Sequence, residues 1–144
     1  KEMVDAYKGG NMVAVMDVPH EQTGSYGIVT PGADDGRIVQ VEGLVEKPDP
    51  SSAPSNIAVV GRYIITPEVF ETLAAQERGA GGEIQLTDAL AKQIGKAPFS
   101  GVRFSGERFD CGSKLGFLKA NVAFGLNNDA MRDQLRDWLG ERLG

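Results

Sequence analysis

The sequence predicts an α/β fold in which helices flank a mixed β-sheet. Three observations point there. Met12-Val13-Ala14-Val15-Met16 is an unbroken apolar run, which is what a strand buried on both faces requires. Apolar, β-branched segments alternate along the chain with segments of helical period, the pattern of layered α/β proteins. Asp34-Asp35-Gly36 reads as a hairpin turn and adds an antiparallel part to the sheet.

Taken in order, Lys1–Lys8 reads as the tail of a helix that stops at Gly9-Gly10, ahead of the Met12–Met16 strand. A chain that opens on such a connection is expected to be a segment of a longer one. Gly24-Ser25-Tyr26-Gly27 is a turn, Ile28–Thr30 a strand, and Arg37–Val45 its return partner. Residues 49–55 hold Pro50, Pro54 and serines, so they form a loop. Ile57–Ile65 is the next strand. Thr66-Pro67-Glu68 then opens a helix, with threonine as N-cap, proline in the first turn and an acid beside it. Phe70, Leu73 and Ala74 then fall on one face, its apolar side. Residues 78–82 are a flexible, glycine-rich loop. Leu86, Leu90 and Ile94 recur every four residues, with Gly95 ending that helix. Phe99–Phe104 is a strand. A helix after Cys111-Gly112 puts Leu115, Leu118 and Val122 in phase, and Asn128–Leu143 is amphipathic, with Met131, Leu135, Trp138 and Leu139 together. Nothing reads as an interdomain linker, so residues 1–144 are expected to be one domain.

Composition narrows the function. With 41% hydrophobic and 24% charged residues, the chain has the makings of a globular core. A net charge of −5 argues against nucleic acid, which calls for a clustered basic face. No apolar run approaches the roughly 20 residues that cross a bilayer. The single cysteine, Cys111, cannot form an intrachain disulfide, which suits a reducing, cytoplasmic setting. The single histidine, His20, reads as a solvated loop residue, so no Ser-His-Asp or zinc site is indicated.

Four segments could carry chemistry. In Val45-Glu46-Lys47-Pro48, neighbouring side chains on a strand point to opposite faces. Glu46 and Lys47 meet one ligand only where the strand bends. Pro48 is expected to hold Lys47 in an extended conformation and to end the ladder. An acid can accept sugar hydroxyls and a lysine can meet a phosphate; a surface Glu–Lys pair fits the tetrapeptide equally. Along residues 53–63, Ser55 and Asn56 suit a turn, and Gly61 inside a strand implies a bulge or a close backbone approach. In residues 79–89 the glycines precede a helix and could favour an anion, but they lack the lysine and spacing of a phosphate loop; Glu83 also suits a helix entry. In Phe109-Asp110-Cys111-Gly112, a strand-end aspartate with glycine two residues on could ligate a hard metal or simply turn the chain. Cys111 there reads as a small buried residue.

In this order and together, these segments resemble the bacterial UTP–glucose-1-phosphate uridylyltransferases of the nucleotidyltransferase family, over residues 3–126. The resemblance implies the C-terminal portion of a Rossmann-like nucleotidyltransferase fold. It implies that the backbone N–H of Gly27 and the carbonyl of Val59 contact the sugar, that Glu46 accepts sugar hydroxyls, and that Lys47 meets the phosphate of glucose 1-phosphate and serves catalysis. Asp110 is similar to one of two aspartates that hold Mg²⁺. The family's nucleotide-binding half, with its basic glycine-rich loop and other aspartate, is not in this sequence. The chain is therefore expected to supply the sugar-phosphate and metal side and to be inactive alone. UTP and glucose 1-phosphate are the implied substrates. A homo-oligomer is expected, and the segment alone is expected to self-associate or swap domains where loss of a neighbouring strand exposes a sheet edge. Within the family the alternative is a glucose-1-phosphate thymidylyltransferase, which carries threonine where Cys111 stands; outside it, a non-catalytic module that binds sugar phosphate or assembles subunits.

Overall fold

The computed structural model describes residues 1–75 and 84–144. They form two compact units, Lys1–Ser105 and Gly106–Gly144. Helix α1 (Glu2–Ala6) leads into β1 (Asn11–Asp17), β2 (Gly27–Asp34), β3 (Ile38–Glu46) and β4 (Ile57–Ile64). Helices α2 (Pro67–Ala74) and α3 (Leu86–Ala91) and strand β5 (Phe99–Arg103) complete the first unit. The second holds α4 (Lys114–Leu126) and α5 (Arg132–Leu143). Among the described residues no helix is long and apolar enough to cross a membrane.

The strands close into a ring in the order β1-β4-β2-β3-β5. Only β1 and β5 run parallel, with Asn11 opposite Phe99 and Val15 opposite Arg103. The β2–β3 hairpin turns at Asp34–Gly36 as expected. Asp35 Oδ1 accepts the N–H groups of Arg37 and Ile38 at 2.8 and 2.6 Å, and Gly36 takes the φ of 90° that the turn needs. The mixed α/β expectation holds, but the free sheet edge does not. Among the described residues each strand is paired on both sides, because β5 joins β1 on one flank and Ile38–Gln40 of β3 on the other. Edge-to-edge pairing of copies loses its basis.

Alternation along the strands sorts the core. Val13, Val15, Val29, Val39, Val41 and Ile57 pack with Val69 of α2 and Ala89 and Leu90 of α3. Ile28, Ala58 and Val18 form a smaller cluster. The five consecutive buried residues Asn11–Val15 are the doubly covered strand that the apolar run predicts. Helix α2 is rotated from expectation: Val69 is buried and Leu73 packs on the core, while Phe70 is exposed. The helix phase alone allows either face, and the core selects the β-branched residue. Thr66 does not cap with its side chain; its N–H is taken by Oδ1 of the buried Asn11 at 2.9 Å.

In the second unit the expected stripe on α4 is also displaced. Leu115 and Leu118 are exposed, whereas Ala120 and Gly125 are buried. A Cβ at Gly125 would stand 2.5 Å from Leu135 Cδ2, so the two helices touch through a small residue. Helix α5 begins at Arg132 rather than Asn128. Asn128 is used instead in the turn before it, where its Oδ1 accepts the Ala130 N–H at 2.9 Å. Leu135 and Leu139 are half-buried, and Met131 and Trp138 are exposed.

Candidate functional site

The end of the β2–β3 ladder brings Gly27 opposite Glu46. Counting by twos along β3, Glu46 shares a face with Leu44, which packs on the core that α3 completes. That face explains its partner: Thr87 of α3, a buried hydroxyl, donates to Glu46 Oε2 at 2.7 Å. Gly27 makes the room. A Cβ there would stand 3.1 Å from Glu46 Oε2 and 3.4 Å from Thr87 Oγ1. Tyr63 of β4 faces the same core, and its phenol is pushed up first by burial and then by the Glu46 charge. The half-buried carboxylate thus sits beside a glycine gap, a hydroxyl donor and a tyrosine.

Lys47 departs from expectation. Pro48 was expected to keep it extended, yet its φ is 46°, the one positive φ of a non-glycine residue among those described. The cause is a conflict of demands. The Lys47 N–H donates to Tyr26 O at 3.0 Å, continuing the ladder past β3, while the next residue, Pro48, is buried. The chain meets both with a bend at Lys47, whose side chain is exposed. A non-glycine residue in this region costs about 1–3 kcal/mol. A bend of this kind can turn neighbouring strand residues toward one side, where a straight strand would point them apart.

Val59 lies on β4 opposite Val15, one residue from Ala58, the partner of Ile28 in β2. It is followed by the irregularity that Gly61 predicts. Val13 pairs Tyr63 and Val15 pairs Val59, so residues 60–62 of β4 face Ala14 alone. Gly61 has a φ of 81° and nothing within 4 Å of a Cβ position, so it serves a bulge and not a close approach. Ser55 is structural: its hydroxyl donates to Val29 O at 2.6 Å and accepts the Ile57 N–H at 3.0 Å.

Asp110 belongs to the second unit. It is not at a strand end, since β5 stops at Arg103. It sits instead in the turn that enters α4. Its Oδ1 accepts the Gly112 N–H at 3.1 Å and its carbonyl accepts the Ser113 hydroxyl at 3.0 Å. Ser113 Oγ in turn accepts the Gly116 N–H at 3.0 Å, capping the helix. A Cβ at Gly116 would collide with Asp110 O at 2.0 Å, so that glycine allows the turn. Cys111, expected buried, is exposed in the turn ahead of α4. Among the described residues no group of three His, Cys, Asp or Glu is placed to hold a metal ion.

The structure thus brings Gly27, Glu46 and Lys47 together, with Val59 on the neighbouring strand. Glu83 and the glycine loop at 78–82 lie outside the described residues. Sequence reasoning missed Thr87 and Tyr63. A signal for Thr87 exists: it is three residues before Leu90, on the inner side of α3, and a buried hydroxyl must find a partner.

Comparison with known proteins bears on the whole chain. The nucleotidyl transferase family matches residues 1–125. A UTP–glucose-1-phosphate uridylyltransferase of Komagataeibacter xylinus is 53% identical over 140 residues, covering 96% of this chain and 47% of the relative. One from Staphylococcus haemolyticus is 41% identical over 143 residues, covering 98% and 50%. The chain spans about half the length of the curated relatives it matches. Among solved structures, UTP-bound UGPase from Acinetobacter baumannii aligns at a TM-score of 0.82 and 34% identity, over 96% of this chain and 48% of that one. A UDP-glucose pyrophosphorylase complexed with UDP-glucose aligns at 0.80 and 36%, over 88% and 49%.

Proposed function

The chain belongs to the nucleotidyl transferase family, and from that premise we propose that it forms the sugar-phosphate side of a UTP–glucose-1-phosphate uridylyltransferase. The observation that carries this reading is the strained backbone of Lys47. Strain of this kind persists only where surrounding structure imposes it, and it gathers at functional sites. Here it aims an exposed amine out of a strand whose previous residue, Glu46, is held beside the gap at Gly27.

In the reaction, a phosphate oxygen of glucose 1-phosphate attacks the α-phosphorus of UTP. The new P–O bond forms as the bond to the bridging oxygen breaks, and pyrophosphate leaves with the electron pair. Such a transfer depends on positioning and on charge neutralisation more than on covalent chemistry. Lys47 holds the sugar phosphate and offsets its charge. Glu46 accepts sugar hydroxyls, while the Gly27 N–H and Val59 carbonyl hold the ring.

Mg²⁺ fits this chain as a partial set. Asp110 would supply one carboxylate, and Mg²⁺ commonly combines one or two carboxylates with substrate phosphates and water. Bound there, it would neutralise charge on the nucleotide phosphates. The setting we propose is the cytoplasm, which suits the exposed thiol of Cys111.

The test is Lys47→Ala in a full-length uridylyltransferase carrying this segment. Loss of a charge-assisted phosphate contact removes about 2–4 kcal/mol of transition-state binding. kcat/KM for glucose 1-phosphate should fall roughly 30- to 800-fold. Kinetics within threefold of the parent would overturn the reading.

A further inference from the structure

We propose that Thr87 is a positioning residue for this site: its hydroxyl fixes Glu46 Oε2 and leaves Oε1 as the acceptor for a sugar hydroxyl. The inference rests on the sugar-phosphate reading above and assigns α3 a part in sugar recognition.

A threonine hydroxyl has one proton to give. On α2, Thr72 gives its proton to its own helix, at Glu68 O, 3.0 Å away. Thr87 gives its proton to Glu46, 41 residues earlier in the chain, at 2.7 Å. Thr87 is buried and β-branched, so a helix leaves it two χ1 rotamers, and the one adopted turns its hydroxyl to Glu46 rather than back to its own helix. Among the described residues no ion pair reaches Glu46. A half-buried carboxylate held on one oxygen by a neutral donor, and outside any ion pair, leaves its other oxygen open to a ligand's hydroxyl. The space at Gly27 opens on the same two oxygens, since a Cβ there would press on both Glu46 Oε2 and Thr87 Oγ1. Rotation of the carboxylate is therefore limited by a donor on one side and by backbone on the other.

The experiment uses the full-length uridylyltransferase with Thr87→Val, which keeps the shape and removes the proton, and Thr87→Ser, which keeps the proton. Glu46→Gln is run beside them. Thr87→Val should raise KM for glucose 1-phosphate about tenfold, the scale of one lost hydrogen bond to a charged group. The values of kcat and of KM for UTP should stay within twofold. Thr87→Ser should restore KM to within threefold of the parent. If the valine variant fails to fold, Thr87→Ala carries the same expectation. An unchanged KM for glucose 1-phosphate in Thr87→Val, or a serine variant as impaired as the valine one, overturns the proposal. If Glu46→Gln raises that KM while Thr87→Val does not, this inference alone falls. If Glu46→Gln also leaves KM unchanged, the sugar-site reading falls with it.

Discussion

Replacing Lys47 separates the energetic cost of the site from its use. With a φ of 46° the residue pays for a conformation that glycine adopts freely. The left-handed region costs an ordinary residue about 1–2 kcal/mol. Glycine gives back about 0.5–1 kcal/mol through its greater freedom in the unfolded chain. The net expectation for Lys47→Gly is a gain of roughly 0.5–1 kcal/mol. The side chain is exposed, so little packing is lost with it. The N–H bond to Tyr26 O survives any substitution other than proline. For a unit of about this size, 1 kcal/mol moves Tm by roughly 4–8 °C, so the glycine variant should melt about 2–8 °C higher. Lys47→Ala keeps the Cβ and therefore the strain, and its Tm should match the parent. Both variants should lose affinity for glucose 1-phosphate. Thermal melts followed by circular dichroism, with calorimetric titration of the sugar phosphate, make the comparison. A glycine variant melting at or below the alanine variant would refute the argument from strain.

Two further outcomes follow from the other sites. Asp110→Asn in a full-length uridylyltransferase should raise the Mg²⁺ concentration for half-maximal rate, and an unchanged Mg²⁺ dependence would remove Asp110 from metal binding. The third concerns acid. Arg103 grips both oxygens of Asp34 at 2.9 Å and reaches Asp17 at 3.0 Å. The Asp34 carboxyl is held below its ordinary value near 3.8, first by that guanidinium and then by the Gly36 N–H. A lowered value stabilises the fold above the ordinary one and is lost as pH falls through the folded one. The Tm gap between the parent and Asp34→Asn should therefore be constant above about pH 5 and shrink below pH 4. A gap unchanged down to pH 2.5 would show that the ion pair does not contribute.

What was legible in the sequence is local. The Met12–Met16 run, the Asp34–Gly36 turn and the Gly61 bulge each carry their signal within a few residues, and each appears where expected. Ring closure is different, because β1 and β5 pair residues some 88 positions apart, as in Asn11 and Phe99, and no local pattern records the partner. The inner face of α2 was misread for the same reason: Val69 and Phe70 are adjacent, and only the core chooses between them. At the site, Glu46 and Lys47 were visible as residue types, but their geometry was not. The bend at Lys47 arises from a bond to Tyr26, 21 residues earlier, against the local preference that Pro48 imposes. The Thr87 contact with Glu46 is as distant as the hairpin from α3.

The hairpin shows how register becomes function. Gly27 pairs Glu46, and the ladder runs evenly to Thr30 and Gly43. It then slips: Pro31 pairs Val41, leaving Glu42 as an extra residue on β3. The slip is undone at once, since Asp34 pairs Val39 with Gly32 and Ala33 facing Gln40 alone. The two irregularities cancel, so residues on either side keep the same pairing. Had only one occurred, every residue of β3 beyond it would have changed face relative to β2. Glu46 would have turned away from α3, and Val45, which is exposed, would have pointed at Thr87. The far end is pinned independently, by Ile38–Gln40 against β5 and by Arg103 holding Asp34. A hairpin fixed at that end and corrected in the middle delivers its last residue to one face without choice. The Glu46 carboxylate is thus placed by backbone pairing, and Thr87 donates to an oxygen that the register has already put within reach.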